Sequence, residues 1–160
     1  MENRFRPSIG GLVATVLLSA LPLNSTDAWQ TTIPPFVAPT TCGAPTPVVT
    51  SAIGFPEARA AAVDAEAWAL FFRPNSQPVT ANQRVKIVWR MTGSGRFEVS
   101  AYSPTGLRVE PETGPDFHPS SNWARPGDEW GTWFKFPAAG CWNLHASREK
   151  SYGDVWIDVK

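Results

Sequence analysis

The chain predicts an all-β fold, an antiparallel β-sandwich of about seven strands, and two observations carry that expectation. Apolar and polar side chains alternate along runs of roughly five to eight residues, the period of a strand with one buried face. Clusters of glycine, proline, asparagine and serine interrupt those runs about every eight to twelve residues, the spacing of turns in two-sheet proteins.

The strongest element is the stretch Asp128–Ala146. Trp130, Thr132, Phe134 and Phe136 alternate with Glu129, Gly131, Trp133 and Lys135, so the first set forms a buried face. Pro137-Ala138-Ala139-Gly140 punctuates the run, because proline fixes φ and glycine admits positive φ. A second strand follows, with Trp142, Leu144 and Ala146 on one face and Cys141, Asn143 and His145 on the other. Gly140-Cys141-Trp142 at its head resembles the corner of immunoglobulin-like sandwiches, where a tyrosine opens strand F. Tryptophan stands in the tyrosine's place, and no cysteine follows two residues later, so the antibody-type disulfide is not expected. The whole ending, RPGDEW…FxFPxxGCW, resembles that of a group of small secreted bacterial proteins with an Ig-like sandwich and no assigned activity. The likeness runs from about Ile53 to the end. It implies a fold and supplies no catalytic residue.

Three regions organise the chain: a signal peptide (1–28), a Pro/Thr-rich extended segment (29–47) and the sandwich domain (48–160). Arg4 and Arg6 precede an apolar run from Ile9 to Leu23, and polar residues lead to Ala28, after which cleavage is expected. The run falls short of the ~20 apolar residues of a membrane span, so no stable membrane insertion is expected after cleavage. An uncleaved anchor is the alternative. The implied location is secreted or extracytoplasmic, at the cell envelope. There, Cys42 and Cys141 are expected to form a single disulfide that pins the Pro/Thr-rich segment onto the start of strand F. Lys and Arg balance Asp and Glu at 14 each, which leaves no electrostatic reason to bind nucleic acid. Two cysteines and two histidines, widely scattered, argue against a zinc site, and neither metal nor cofactor is expected.

In order, the segment 29–47 has no periodicity and is expected to be tethered only at Cys42. Val48–Ile53 reads as a short strand. The alanine-rich stretch 57–67 reads as a loop with one helical turn at most, before a strand from about Ala65 to Arg73; a longer helix through Phe72 is the alternative. Arg84–Met91 is a clean strand with Val85, Ile87 and Trp89 inward and Arg84, Lys86, Val88 and Arg90 outward. A buried tryptophan on the third major strand suits strand C of an Ig-like sandwich. Arg96–Tyr102 places Phe97, Val99 and Ala101 inward, and Leu107–Val109 is a short strand. The four prolines of Glu110–Asp128 read as a long irregular loop, with Asp128 capping it beside Pro126-Gly127. After a turn over Ser147–Gly153, Val155, Ile157 and Val159 face inward and Trp156 and Asp158 outward.

With strands C, F and G in one sheet, its outer surface would collect Arg90, Asn143, His145 and Trp156. These four, with Trp123 from the long loop, are the candidate ligand-binding residues; an indole beside hydrogen-bonding groups suits a peptide or sugar. The competing reading covers Trp156 with the N-terminal segment and folds Trp123 back to plug the end of the sandwich. Trp133 faces outward on the opposite sheet in a cross-strand packing role. No GxSxG, P-loop, GxGxxG or HExxH pattern is present, and no catalytic residue is assigned. The expected function is a non-catalytic module binding an envelope protein or polysaccharide. A structural envelope protein is the alternative, and a hydrolase with its site in the 110–129 loop would require Asp116, His118 or Glu129 to converge in a pocket.

Overall fold

The computed structural model describes residues 35–160; the expected signal peptide and residues 29–34 lie outside the described residues. These contain no helix and eleven strands: β1 (Val48–Thr50), β2 (Pro56–Arg59), β3 (Ala61–Val63), β4 (Ala67–Phe71), β5 (Arg84–Met91), β6 (Glu98–Tyr102), β7 (Arg108–Val109), β8 (Thr113–His118), β9 (Asp128–Lys135), β10 (Gly140–Arg148) and β11 (Ser151–Val159). They form two antiparallel sheets, a first in the order β1-β2-β4-β5-β9-β8 and a second in the order β3-β11-β10-β6-β7.

Eight of these strands reproduce the Ig-like frame. β4-β5-β9-β8 matches the order A-B-E-D, and β11-β10-β6-β7 matches G-F-C-C′. Strands F and G fall where the sequence predicts them, but the clean strand Arg84–Met91 does not. It is the equivalent of B, paired with β9 in the first sheet, and β6 takes the place of C. The buried tryptophan misleads because Trp89 packs between the sheets from either position.

The alternation predicts the inner face of both sheets. Val85, Ile87 and Trp89 of β5, Trp130 and Phe134 of β9, Phe136 just beyond it, Trp142 and Leu144 of β10 and Val155 and Val159 of β11 join one buried cluster. The indole N–H of Trp89 donates to Thr132 Oγ1 at 3.0 Å, and that hydroxyl donates to the Ile87 carbonyl at 2.9 Å. Both polar groups are satisfied without water, as deep burial demands.

At the corner, Gly140 takes φ 123°, closed to most L side chains, and turns the chain into β10. Trp142 is 1% exposed and its indole N–H donates to the Ala138 carbonyl four residues upstream at 3.1 Å. It therefore performs the tyrosine-corner bond with a longer side chain. Trp142→Phe removes that bond and part of a buried ring, and is expected to cost about 1–2 kcal/mol by urea denaturation.

Three expectations are corrected. Residues 57–67 are neither loop nor helix: β2 pairs β4 in the first sheet, and β3 pairs β11 in the second, so the chain crosses between sheets at Ala60. Their alanines suit strands here because small side chains fit closely packed surfaces; Ala58 and Ala67 are each 1% exposed. Glu110–Asp128 is not wholly irregular, because Thr113–His118 pairs β9 across a bulge between Thr113 and Asp116. The bulge holds Gly114 and Pro115, an acceptable place for a residue with no N–H to give the ladder. Finally, the β10–β11 turn is only Glu149-Lys150, since strand pairing continues to Arg148↔Ser151.

The outer face of the first sheet carries a second, smaller core. Leu70, Val88 and Trp123 are buried there, with Ile53, Phe55 and Trp68 against them. Trp123 is 3% exposed, folded back onto the outer face of this sheet and not into the end of the sandwich.

Candidate functional site

The second sheet's outer face is built from cross-strand rows of β6, β10 and β11. Register places Ser100, His145 and Asp154 in one row, and Glu98, Ser147 and Tyr152 in the next. His145 Nδ1 lies 3.0 Å from Asp154 Oδ1, so the carboxylate orients the imidazole. Ser100 Oγ instead donates to Glu110 at 2.9 Å and accepts from Arg108 at 3.0 Å. The serine thus faces β7 and the histidine faces β11.

The Pro/Thr-rich segment crosses this face. Cys42 and Cys141 form the expected disulfide, with their Cα atoms 5.8 Å apart. The segment is not tethered there alone. The Thr46 amide donates to the Trp156 carbonyl at 2.9 Å, and the Trp156 amide donates to Thr46 Oγ1 at 2.9 Å. Gly43 lies flat on the Trp156 indole, where a Cβ would come within 2.6 Å of the ring. Upstream of the disulfide, the Phe36 ring stacks on His145 at 3.8 Å and tilts against Tyr102 at 4.7 Å.

Phe36 divides a groove into two hollows. One, of about 410 Å³, is bordered by Arg96, Ser100, Tyr102, Arg108 and Glu110. The other, of about 480 Å³, is bordered by Val37, Arg148, Tyr152 and Asp154. Phe36, His145 and Ser147 line both. Rings for stacking therefore share the groove with hydroxyl, carboxylate and guanidinium groups.

The five sequence candidates do not assemble into one surface. His145 lies in the groove, but Trp156 is half-buried beneath Gly43, and Asn143, its register partner on β10, is buried at 2% exposure. Arg90 and Trp123 belong to the other sheet's outer face because β5 sits there. Trp133 is also on that face, half-buried, with the Arg84 guanidinium 4.8 Å from its ring centre. Sequence reasoning missed Phe36, Tyr102 and Tyr152. A period-2 outward face on β6 and β11 marks the two tyrosines, and an aromatic within a proline-rich run marks Phe36.

Two charged networks bind the 119–127 loop to the first sheet. In one, Arg90 donates to Glu129 at 3.0 Å and to the carbonyls of Arg125 and Gly127 at 3.0 and 3.1 Å. His118 Nδ1 lies 3.2 Å from the same Glu129, whose other oxygen also accepts from Ser121. His118 and Glu129 therefore meet, as strand partners, in a network that holds the loop. No cluster of three His, Cys, Asp or Glu side chains suited to a metal, Asp116 included, occurs among the described residues.

In the other network, the buried carboxylate of Glu57 accepts from Trp123 Nε1 at 2.6 Å and from Arg125 at both oxygens. Burial works to raise the Glu57 carboxyl, but the bonds from Arg125 and Trp123 and the Arg125 charge outweigh it and hold it below the ordinary range. The Glu57 bond likewise pushes the Arg125 guanidinium upward. Arg125 also lies 3.9 Å above the Trp68 ring. Asp128 does not cap the loop as expected, but pairs with Arg148 at 3.0 Å. Arg148 in turn donates to the carbonyls of Met91 and Gly95, closing that end of the sandwich.

Among the described residues no helix is long and apolar enough to cross a membrane. No protein-family model matches the chain, and no curated protein matches it.

Proposed function

We propose that the protein is a secreted, non-catalytic binding module of the cell envelope, and that its groove over β6, β10 and β11 holds an extended strand of an envelope protein or polysaccharide. The observation that carries this reading is that the groove already seats a segment of the chain itself, with Phe36 stacked on His145. Open hollows continue to either side of that ring. The disulfide agrees with an oxidising, extracytoplasmic setting. Balanced charge offers nucleic acid no attraction.

The structural-protein reading has its own observation. Trp89, Trp123, Trp130 and Trp142 are buried, and Trp68, Trp133 and Trp156 are half-buried. Tryptophans used this way serve the core and its covers and offer no open platform. Retention of the full-length protein on envelope extract and cell-wall polysaccharide separates the two readings. The binding reading expects retention that falls at least tenfold in Tyr102→Ala and His145→Ala proteins with unchanged circular dichroism. Absence of retention by the parent protein supports the structural reading instead.

A further inference from the structure

We infer that the ligand of this groove is an extended, proline-rich peptide presenting an aromatic ring, and that Phe36 occupies the ring's place until such a peptide displaces it. The inference rests on the reading above that this face is the binding site, and it names the ligand class and the intrachain competitor.

Tyr102, Phe36, His145 and Tyr152 form a continuous series of rings, with successive centres 4.7, 3.8 and 5.6 Å apart. Only Phe36 belongs to the segment; the other three are fixed on β6, β10 and β11. The slot between Tyr102 and His145 is thus a preformed receptor for a flat ring. The tilted contacts at 4.7 and 5.6 Å are favoured geometries of aromatic pairs, while Phe36 lies nearly face to face on His145. Aromatic-lined grooves accept proline-rich strands readily, because such strands are extended beforehand and lose little freedom on docking. The segment beside Phe36 has that composition, Ile33-Pro34-Pro35-Phe36-Val37-Ala38-Pro39, and Pro35 and Val37 border the second hollow.

The hold on Phe36 is weak compared with the hold farther along. Among the described residues, Pro35–Thr41 make no hydrogen bond to the sheet, whereas Thr46 makes two and Cys42 is covalently fixed. Phe36 also remains 37% exposed. A single ring held by stacking and partial burial leaves the slot open in a fraction of molecules. A competing ligand then binds with its affinity reduced by that fraction, on the order of tenfold. The peptide's carbonyls and amides would meet Ser147, Asp154 and Arg96 at the groove margins.

The probe is a fluorescent synthetic peptide of residues 31–41, TTIPPFVAPTT, titrated by anisotropy against full-length protein and its Phe36→Ala variant. Phe36→Ala is expected to bind it about tenfold more tightly than the parent, and adding Tyr102→Ala is expected to reverse the gain. Replacing phenylalanine by alanine in the peptide is expected to abolish binding. Equal affinity of parent and Phe36→Ala, or equal binding of the alanine peptide, overturns the inference. If envelope material is retained through Tyr102 and His145 while the peptide is not bound, this inference fails and the binding reading stands. If neither is bound, both fail. A dimer of the parent in sedimentation that Phe36→Ala converts to monomer assigns the slot to a second copy, and also overturns it.

Discussion

Arg125→Met is expected to destabilise the fold by about 3 kcal/mol, because it strips a buried carboxylate of its charge partner. Glu57 is fully buried, while the Arg125 side chain is 32% exposed. The two halves of this pair therefore respond unequally. Glu57→Gln leaves an arginine that can turn toward water, and is expected to cost only about 1–2 kcal/mol. The pH dependence carries the more specific signature. In the parent, the Glu57 carboxyl is held below its ordinary value, so its stabilising contribution is complete above about pH 4.3 and is lost as pH falls through the lower folded value. Without Arg125, burial dominates and pushes the carboxyl above that value. The contribution is then greatest below about pH 4.3 and is lost as pH rises. Urea midpoints between pH 3 and 7 should therefore show the difference between parent and Arg125→Met widening toward neutral pH. A difference that stays constant across that range would mean that Glu57 does not titrate as this pairing requires.

Removing the disulfide by Cys42→Ser with Cys141→Ser is expected to cost about 3 kcal/mol, somewhat less than the chain-entropy value for a loop of about a hundred residues. The two cysteines are 99 residues apart in sequence. The bond acts mainly by restricting the unfolded chain, so the native sandwich should persist with its cooperative transition at lower denaturant. Loss of the covalent anchor should also loosen the segment over Trp156 and raise acrylamide quenching of tryptophan fluorescence. Thr46 would still bond Trp156 at two points, which limits that rise. A loss below about 1 kcal/mol would mean that the cross-link adds little to a chain already compact when unfolded.

The inner faces were legible from alternation alone, since Trp130, Phe134, Trp142 and Val155 had only one side on which to be buried. The corner was legible because Gly140 and Trp142 carry its geometry locally. Sheet membership was not. Trp89 is inward whether its strand pairs β9 or β10, so nothing in Arg84–Met91 distinguishes B from C. The outer faces were harder still. Trp123 and Trp156 each kept two readings, exposed or covered, because a strand or loop pattern cannot announce what another segment lays over it. Only the cysteines signalled that cover on the second sheet, and no residue signalled that Glu57 and Arg125, 68 positions apart, would draw the long loop onto the first. The strand β8 was hidden by its proline and glycine, which a bulge at an edge tolerates.

That bulge has a consequence for association. An edge strand offers unpaired amides and carbonyls to any passing chain, and a long regular edge invites sheet-to-sheet growth. Here β8 presents Pro115 and an interrupted ladder. At the far edge of the same sheet, β1 has three residues, starting just after Pro47. The second sheet ends on β3 and β7, of three and two residues, and Pro111 follows two positions after β7. Four short or broken margins make this sandwich a poor template for aggregation, despite the high β-propensity of its central strands.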